Sequence, residues 1–389
     1  MRPYRVPVLM FHSVGVRHLE WPHAFLSEDL SLFERKIETL IRLGYQPIFH
    51  EELHRHLRAG AAIPDKAILL TFDDGFLDNW VVVFPFLKKK QIKFTIYVSQ
   101  EFVDPADTCR PNLDDVWAGR HDSARLEHLG YLSWPEMRAM EASGFVDIQS
   151  HTSTHTWQFT GDTIIDYLHP GNLAAYPWML WNRSPRNKPC WIRALSSAGA
   201  RMTGLPVYEN QRAMIARRHL EDPDLNLRLV DHVTSLGGAE LFSQADARAR
   251  LDAWVQGYRH REHERGRMET EAEYSSRMTY ELRGNKSAIE SALGKQVHYL
   301  CWPGGAYRES LLKLAEESGY RATTVKQGYN ARGDDPRRVH RISSGNPSGE
   351  KRFPWKYPLF TLRYYLDRFH GKPWAVALDR LYRLTAAGV

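Results

Sequence analysis

The run Ala67-Ile68-Leu69-Leu70-Thr71-Phe72 ends in two adjacent carboxylates, Asp73-Asp74, followed by Gly75. A short apolar run bounded by Pro64 and Gly75 reads as a buried strand, and the end of such a strand is where α/β folds place their chemistry. Two neighbouring Asp side chains repel each other and stay together only where a cation, a proton or solvent compensates them. Two explanations are open at this point. One is a metal site; the other is an ordinary solvated turn, because Asp initiates turns and Gly tolerates positive φ. Partners elsewhere in the chain decide between them.

The surrounding pattern alternates. Val6–Phe11 predicts a first strand that ends at His12, and Ser27–Leu43 a helix with Leu32, Phe33, Ile37, Leu40 and Ile41 on one face and Gly44 as its stop. A short strand at Gln46–Phe49 and a helix from Glu51 lead to the Asp73-Asp74 strand, an order that implies a parallel sheet wrapped by helices. Helix Asn79–Lys90, strand Lys93–Val98 and helix Ser133–Ser143 continue it, the last with Pro135 early and Gly144 after it. Strand Phe145–Gln149 then runs into Ser150-His151-Thr152-Ser153-Thr154-His155. Two His at this spacing can meet one ion from one side of a helical turn, although the intervening Thr and Ser favour a loop or cap over a long helix. Two solvated histidines in a polar loop are the alternative.

From 157 to 277 the rhythm breaks. The part up to about Ala200 is rich in Trp, Tyr, Pro and Arg without helical or strand period, and Tyr208–Arg283 is charged and mostly helix-like with a break at Gly237-Gly238. We read 157–277 as a mainly helical insertion that caps or lids the site. The alternation resumes with helix Met278–Leu293, strand Val297–Cys301, the tight loop Trp302-Pro303-Gly304-Gly305, helix Ser310–Ser318, and strands at Ala322–Val325 and Val339–Ile342. Residues 1–156 and 278–345 thus form one discontinuous barrel, and 346–389 a basic, aromatic C-terminal extension. In that tail Leu359, Leu362, Leu366 and Phe369 are spaced for one helical face that packs on the barrel.

Charge and cysteines narrow the function classes. The net charge of the 389 residues is +6, and eight Lys or Arg against three Asp or Glu lie in 350–389, so the main body is nearly balanced. A broad nucleic-acid-binding face is not expected. The basic aromatic tail is a candidate for peripheral membrane contact. Cys109, Cys190 and Cys301 have neither disulfide-framework nor zinc-knuckle spacing. No signal peptide and no run of eighteen apolar residues is visible, so the expectation is a cytoplasmic protein, with membrane association through the tail.

In a barrel of parallel strands all strand ends converge on one face, which turns His12, Asp73-Asp74, His151/His155 and Pro303-Gly304-Gly305 into one site. One carboxylate with two His is a three-ligand set that leaves positions open for water, the arrangement of a hydrolytic metal. These residues resemble the polysaccharide deacetylases of the carbohydrate esterase type, the NodB-homology domain. Thr71-Phe72-Asp73-Asp74-Gly75 matches the first motif of that family, Ser150–His155 its second, and Trp302-Pro303-Gly304-Gly305 resembles its third. Val8-Leu9-Met10-Phe11-His12 looks like the N-terminal strand of the poly-N-acetylglucosamine deacetylase branch.

The resemblance implies a distorted (β/α)7-type barrel and removal of N-acetyl groups from an amino sugar or polysaccharide. It implies that Asp74, His151 and His155 hold a divalent metal, by default Zn2+ with Co2+, Ni2+ or Mn2+ as alternatives. Asp73 would be the general base, His12 the general acid that protonates the leaving amine, and the Gly304 N–H a donor to the oxyanion. The third motif departs from the family pattern, which has an Arg before its Pro and an aromatic residue after it; Trp302 and Gly304 stand there. The sequence therefore shows no Arg at the place where that family orients its base. Val339-His340-Arg341 resembles the family's closing Leu-x-His, which makes His340 a rival to His12 for the acid role. A carbohydrate-binding protein on the same scaffold, or a deacetylase of another amide such as a lipid-linked sugar, are the competing readings.

Overall fold

In the computed structural model, which describes residues 5–18, 21–193, 199, 201–262, 266–325, 328, 330–344 and 358–386, the chain divides into two units. One comprises Met1–Thr152, Asn285–Gly305 and Glu309–Val389; the other comprises Ser153–Gly284 with Ala306–Arg308. The main strands are β1 (Val8–Phe11), β2 (Ala67–Phe72), β3 (Phe94–Val98), β4 (Val146–Ser150), β5 (Trp157–Tyr167), β6 (Pro206–Arg212), β7 (Tyr299–Leu300), β8 (Ala322–Val325), β9 (Arg338–His340) and β10 (Ile342–Ser343).

The first unit is built on one parallel sheet in the order β9-β8-β7-β4-β3-β2-β1-β10. Its two edge strands are consecutive in the chain and separated by Arg341 alone. Residues 338–340 pair with β8 at one edge and 342–343 pair with β1 at the other. A single residue therefore joins the two edges, and the sheet becomes a nearly closed barrel. The expected strand Val339–Ile342 is real, but it is broken at Arg341 so that each half serves a different edge.

Alternation along each strand decides what the barrel contains. Val8, Leu69, Tyr97, Tyr299, Cys301, Ala322 and Val339 belong to one buried cluster with Leu53 and Leu57 of the helix His50–Ala59. Residues two further on share their face, so Leu69 places Thr71 and Asp73 inward, and Val339 places Arg341 inward. The helices follow their punctuation closely. Trp134–Ala142 starts from a Ser133–Glu136 capping box, and Leu30–Arg42 buries Phe33, Ile37 and Leu40. In the tail, Pro358–Phe369 buries Leu362, Leu366 and Phe369 of the face expected for it and leaves Leu359 half-buried, and Pro373–Ala386 forms a second helix; the aromatic residues Phe353, Trp355 and Tyr357 of the tail lie outside the described residues.

The second unit differs from expectation at its start. The stretch after Trp157, read as having no strand period, forms the eleven-residue β5, which pairs antiparallel with β6. Register shifts between Phe159 and Ile164 and between Ile164 and Asp166 break the alternation that would have betrayed it. Residues 206–212, read partly as the start of a helical region, are strand as well. Beyond them the helical expectation holds: Pro223–Ser235, Ala247–Glu262 and Glu271–Thr279 are helices, with left-handed Gly237 and Gly238 at the break. Leu225, Leu229, Val233, Leu251, Val255 and Tyr258 pack with Tyr167 of β5 into this unit's core.

Candidate active site

Asp73, only 3% exposed, leaves the end of β2 toward the barrel interior. Its carboxylate is held by Arg341 through two parallel contacts, Nη1 to Oδ1 at 2.6 Å and Nη2 to Oδ2 at 2.8 Å. Such a bidentate pair fixes orientation as well as charge. The same guanidinium reaches Cys301 Sγ at 3.0 Å and lies over the Tyr97 ring, 5.8 Å from its centroid. Burial alone would raise the pKa of Asp73, but Arg341 reverses this and keeps the carboxyl below its ordinary value. Asp73, for which the third motif offers no Arg, thus has one from elsewhere in the chain, supplied by the residue that closes the barrel.

Asp74 turns the other way. Its φ of 73° is left-handed, a conformation that costs a non-glycine residue about 1–2 kcal/mol and is followed by Gly75 at 65°. The turn swings the second carboxylate away from the first, so that Asp74 Oδ1 lies 3.2 Å from His151 Nε2. His151 is 1% exposed, and its Nδ1 sits 2.8 Å from the carbonyl oxygen of Cys301. That carbonyl can only accept, so Nδ1 carries the hydrogen and the Nε2 position faces Asp74, the usual support for an imidazole ligand. Burial opposes a charge on this ring, yet Cys301, Asp74 and Asp73 together push its pKa well above the ordinary value. A proton and a divalent cation would compete for the same Nε2.

The division between the two units falls at Thr152/Ser153, inside the loop that carries both histidines, and the donor set belongs to that loop and the strand end beside it. Asp74, His151 and His155 offer ligand atoms that all lie within 4.8 Å of one another. The loop is not a helical turn: Thr152 and His155 have φ of 64° and 42°. The buried Glu281 carboxylate accepts the backbone N–H groups of Ser153 and Thr154, each at 3.0 Å. A second set, Asp73, His151 and Cys301, meets the same distance limit. There, however, Arg341 engages both Asp73 oxygens and contacts the sulfur, so a cation would face a guanidinium.

His12 lies just past β1 with Nε2 3.9 Å from Asp73 Oδ2. Burial lowers its pKa, and Asp73 and Asp74 offset this only in part. Its rival His340 points elsewhere: its ring lies against Gly328, where an added Cβ would come within 2.5 Å of Nδ1, and its backbone N–H donates to Asn330. Gly304 takes a left-handed conformation, φ 55° and ψ 23°, in the turn Pro303–Gly305, and the preceding Trp302 is fully buried. Sequence reasoning missed Arg341, Cys301, Tyr97 and Glu281. The one available signal was Arg341 itself, a charged residue two positions from the apolar Val339 on the same strand face.

These features define an α/β-barrel protein with a potential divalent-metal centre at the carboxyl ends of its strands. The family model described as polysaccharide deacetylase matches residues 61–168 and 252–323 of this chain. Among curated proteins it is 27% identical over 154 residues to YxkH of Bacillus subtilis (strain 168), named as a polysaccharide deacetylase, covering 40% of this chain and 44% of that protein. It is 29% identical over 129 residues to the poly-beta-1,6-N-acetyl-D-glucosamine N-deacetylase of Escherichia coli (strain K12), covering 33% of this chain and 18% of that one. The chain therefore aligns with less than half the length of either relative. A solved structure of a de-N-acetylase from Aggregatibacter actinomycetemcomitans shares the fold, with a TM-score of 0.52 at 17% identity over 87% of this chain and 94% of that one.

Proposed function

We propose that this chain is a divalent-metal-dependent hydrolase that removes N-acetyl groups from an N-acetylated amino sugar or its polymer, releasing acetate and a free amine. The observation that carries this reading is the split between the two neighbouring carboxylates: Asp73 is locked to Arg341, while Asp74 lies with His151 and His155 as a set of three donors. One Asp and two His fit a borderline cation such as Zn2+, with Co2+, Ni2+ and Mn2+ as alternatives. When bound, such an ion polarises the acetamide carbonyl and lowers the pKa of a water.

The chain's own residues do the rest. Ionised Asp73, oriented by Arg341, accepts the proton of the attacking water. His12 donates a proton to the departing nitrogen, without which an amine is a poor leaving group. The Gly304 N–H donates to the oxygen on which negative charge develops. We assign this chemistry to residues 1–156 and 278–345, with 157–277 as an inserted segment. Acetate release from N-acetylglucosamine oligomers, abolished by a chelator, restored by zinc and lost in Asp73→Asn, is the expected result. Oligomer binding without any acetate release would overturn the reading in favour of a binding protein.

The tail is the basis of a narrower proposal. No helix among the described residues is long and apolar enough to cross a membrane, but Phe360, Trp374 and Leu381 are exposed beside the exposed Lys372 and Arg380. That combination supports peripheral contact with an anionic bilayer. Failure to sediment with anionic vesicles would remove it.

A further inference from the structure

His12 leaves the barrel at a place where the main sheet no longer holds it. The last paired residues of β1 and β2 are Phe11 and Phe72, and Ser13–Gly15 pairs instead with the short strand Ser27–Asp29. What grips residues 11–14 is the segment that begins at the two carboxylates. The Asp73 N–H donates to the carbonyl of Phe11 at 3.0 Å. Asn79 Nδ2 donates to the carbonyl of His12 at 3.0 Å and to Asp78 Oδ1 at 2.8 Å. Asp78 Oδ2 accepts the hydroxyl of Ser13, which also meets Ser27 Oγ at 2.7 Å, and Asp78 accepts the Val14 N–H as well.

Consecutive residues around His12 are thus held by one short stretch, Asp73 to Asn79, that also carries Asp73 and Asp74. The holding groups are dry: Asn79 is fully buried, and Ser13 and Asp78 are each 4% exposed. A buried carboxylate with only neutral donors is expensive to maintain. Asn79 also opens a π-helical turn, Asn79–Val83, a local irregularity that occurs often at functional sites.

We propose that Asp78 and Asn79 are positioning residues for His12, fixing the imidazole relative to Asp73 so that the proton donor and the base keep one geometry. This rests on the deacetylase reading above. It assigns to the stretch Asp73–Asn79 the coordination of acid, base and metal ligand together. A purely structural cluster would stabilise the turn and have no selective effect on the step that His12 serves.

The test uses the full metal-loaded chain with Asn79→Leu and Ser13→Ala, each alone and combined with His12→Ala. Two substrates separate the roles: an N-acetylglucosamine oligomer, whose amine must be protonated to leave, and an aryl acetate, whose phenolate departs unprotonated. We expect Asn79→Leu to lower kcat on the amide about ten-fold or more, with KM and metal content unchanged, because small misplacements of a catalytic group carry losses of that order. The aryl acetate rate should be unaltered, and His12→Ala should absorb the effect, so that the double variant is no worse than His12→Ala alone. Equal losses on both substrates, or additive losses in the double variant, overturn the proposal. If Asn79→Leu does not fold, Ser13→Ala carries the same comparison. If the unmodified chain releases no acetate from the oligomer, the deacetylase reading fails first. Amide hydrogen exchange over residues 11–14 then tests the hold on His12 by itself: acceleration in Asn79→Leu, with 150–156 unchanged, upholds that hold, and no acceleration refutes the positioning role independently of the deacetylase reading.

Discussion

Asp73 and Asp74 are adjacent in the chain and answer to different partners. The left-handed φ of Asp74 separates them, one toward Arg341 and one toward His151. A buried ion pair is weak support for stability as a whole, but breaking it by removing one partner leaves an uncompensated charge at a cost of about 3–5 kcal/mol. Arg341→Met should therefore lower the denaturation midpoint sharply and abolish acetate release. Adding Asp73→Asn to it should restore much of the stability and none of the activity, which denaturant titration of the four-member cycle would check. Arg341→Lys should fold yet lose most activity, because an ammonium cannot hold both oxygens in one plane. The carboxylates and histidines were legible in the sequence because each pair lies within one short string. The Asp73–Arg341 pair was not, since the partners stand 268 positions apart. They meet only because β9 and β10 part at Arg341 to join the barrel's edges, a register that no local pattern encodes.

Among the elements, the strands of the barrel announced themselves and those of the second unit did not. Ala67–Phe72 is buried along its whole length, so an unbroken apolar run marked its limits. Eight of the eleven residues of β5, in contrast, are half-buried or exposed, and its pairing with β6 slips twice, so neither period was visible. The turn after β2 makes a stricter demand. A Cβ on Gly75, at φ 65°, would come within 2.9 Å of Val98 Cγ1. Gly75→Ala should destabilise the chain by about 1–3 kcal/mol, read from the denaturant midpoint, and should lower metal affinity by displacing Asp74. Asp78, the residue just before the π-helical turn Asn79–Val83, sets a pH dependence. Burial outweighs the donors around Asp78 and raises its carboxyl to about 7, above the ordinary unfolded value near 3.9. The folded state then keeps this proton after the unfolded chain has lost it, so the stabilising contribution is full below about pH 4 and is lost as pH rises toward 7. The difference in stability between the native chain and Asp78→Asn should change in that sense over that window, measured by thermal denaturation across pH.

At the scale of the whole molecule, the donors of the candidate centre come from different strand ends. Asp74 follows β2, and His151 and His155 lie in the loop after β4, with β3 between these strands in the sheet. An ion bound by all three would tie together parts of the chain that separate on unfolding, and its binding energy would appear as stability. For a ligand that binds only the folded state, free metal at a hundred times its dissociation constant contributes about 2.7 kcal/mol. With a shift of roughly 2–4 °C per kcal/mol for a domain of 150–250 residues, the melting temperature should rise by about 5–10 °C on adding zinc to chelator-treated protein. Asp74→Asn should abolish most of that rise, whereas His12→Ala, outside the ligand set, should retain it. The rise should also shrink as pH falls, because the neighbours of His151 favour a proton on the nitrogen that the metal needs. A melting temperature that does not respond to zinc, in a chain that still releases acetate after exhaustive chelation, would show that Asp74, His151 and His155 hold no catalytic cation and that the hydrolysis proceeds without one.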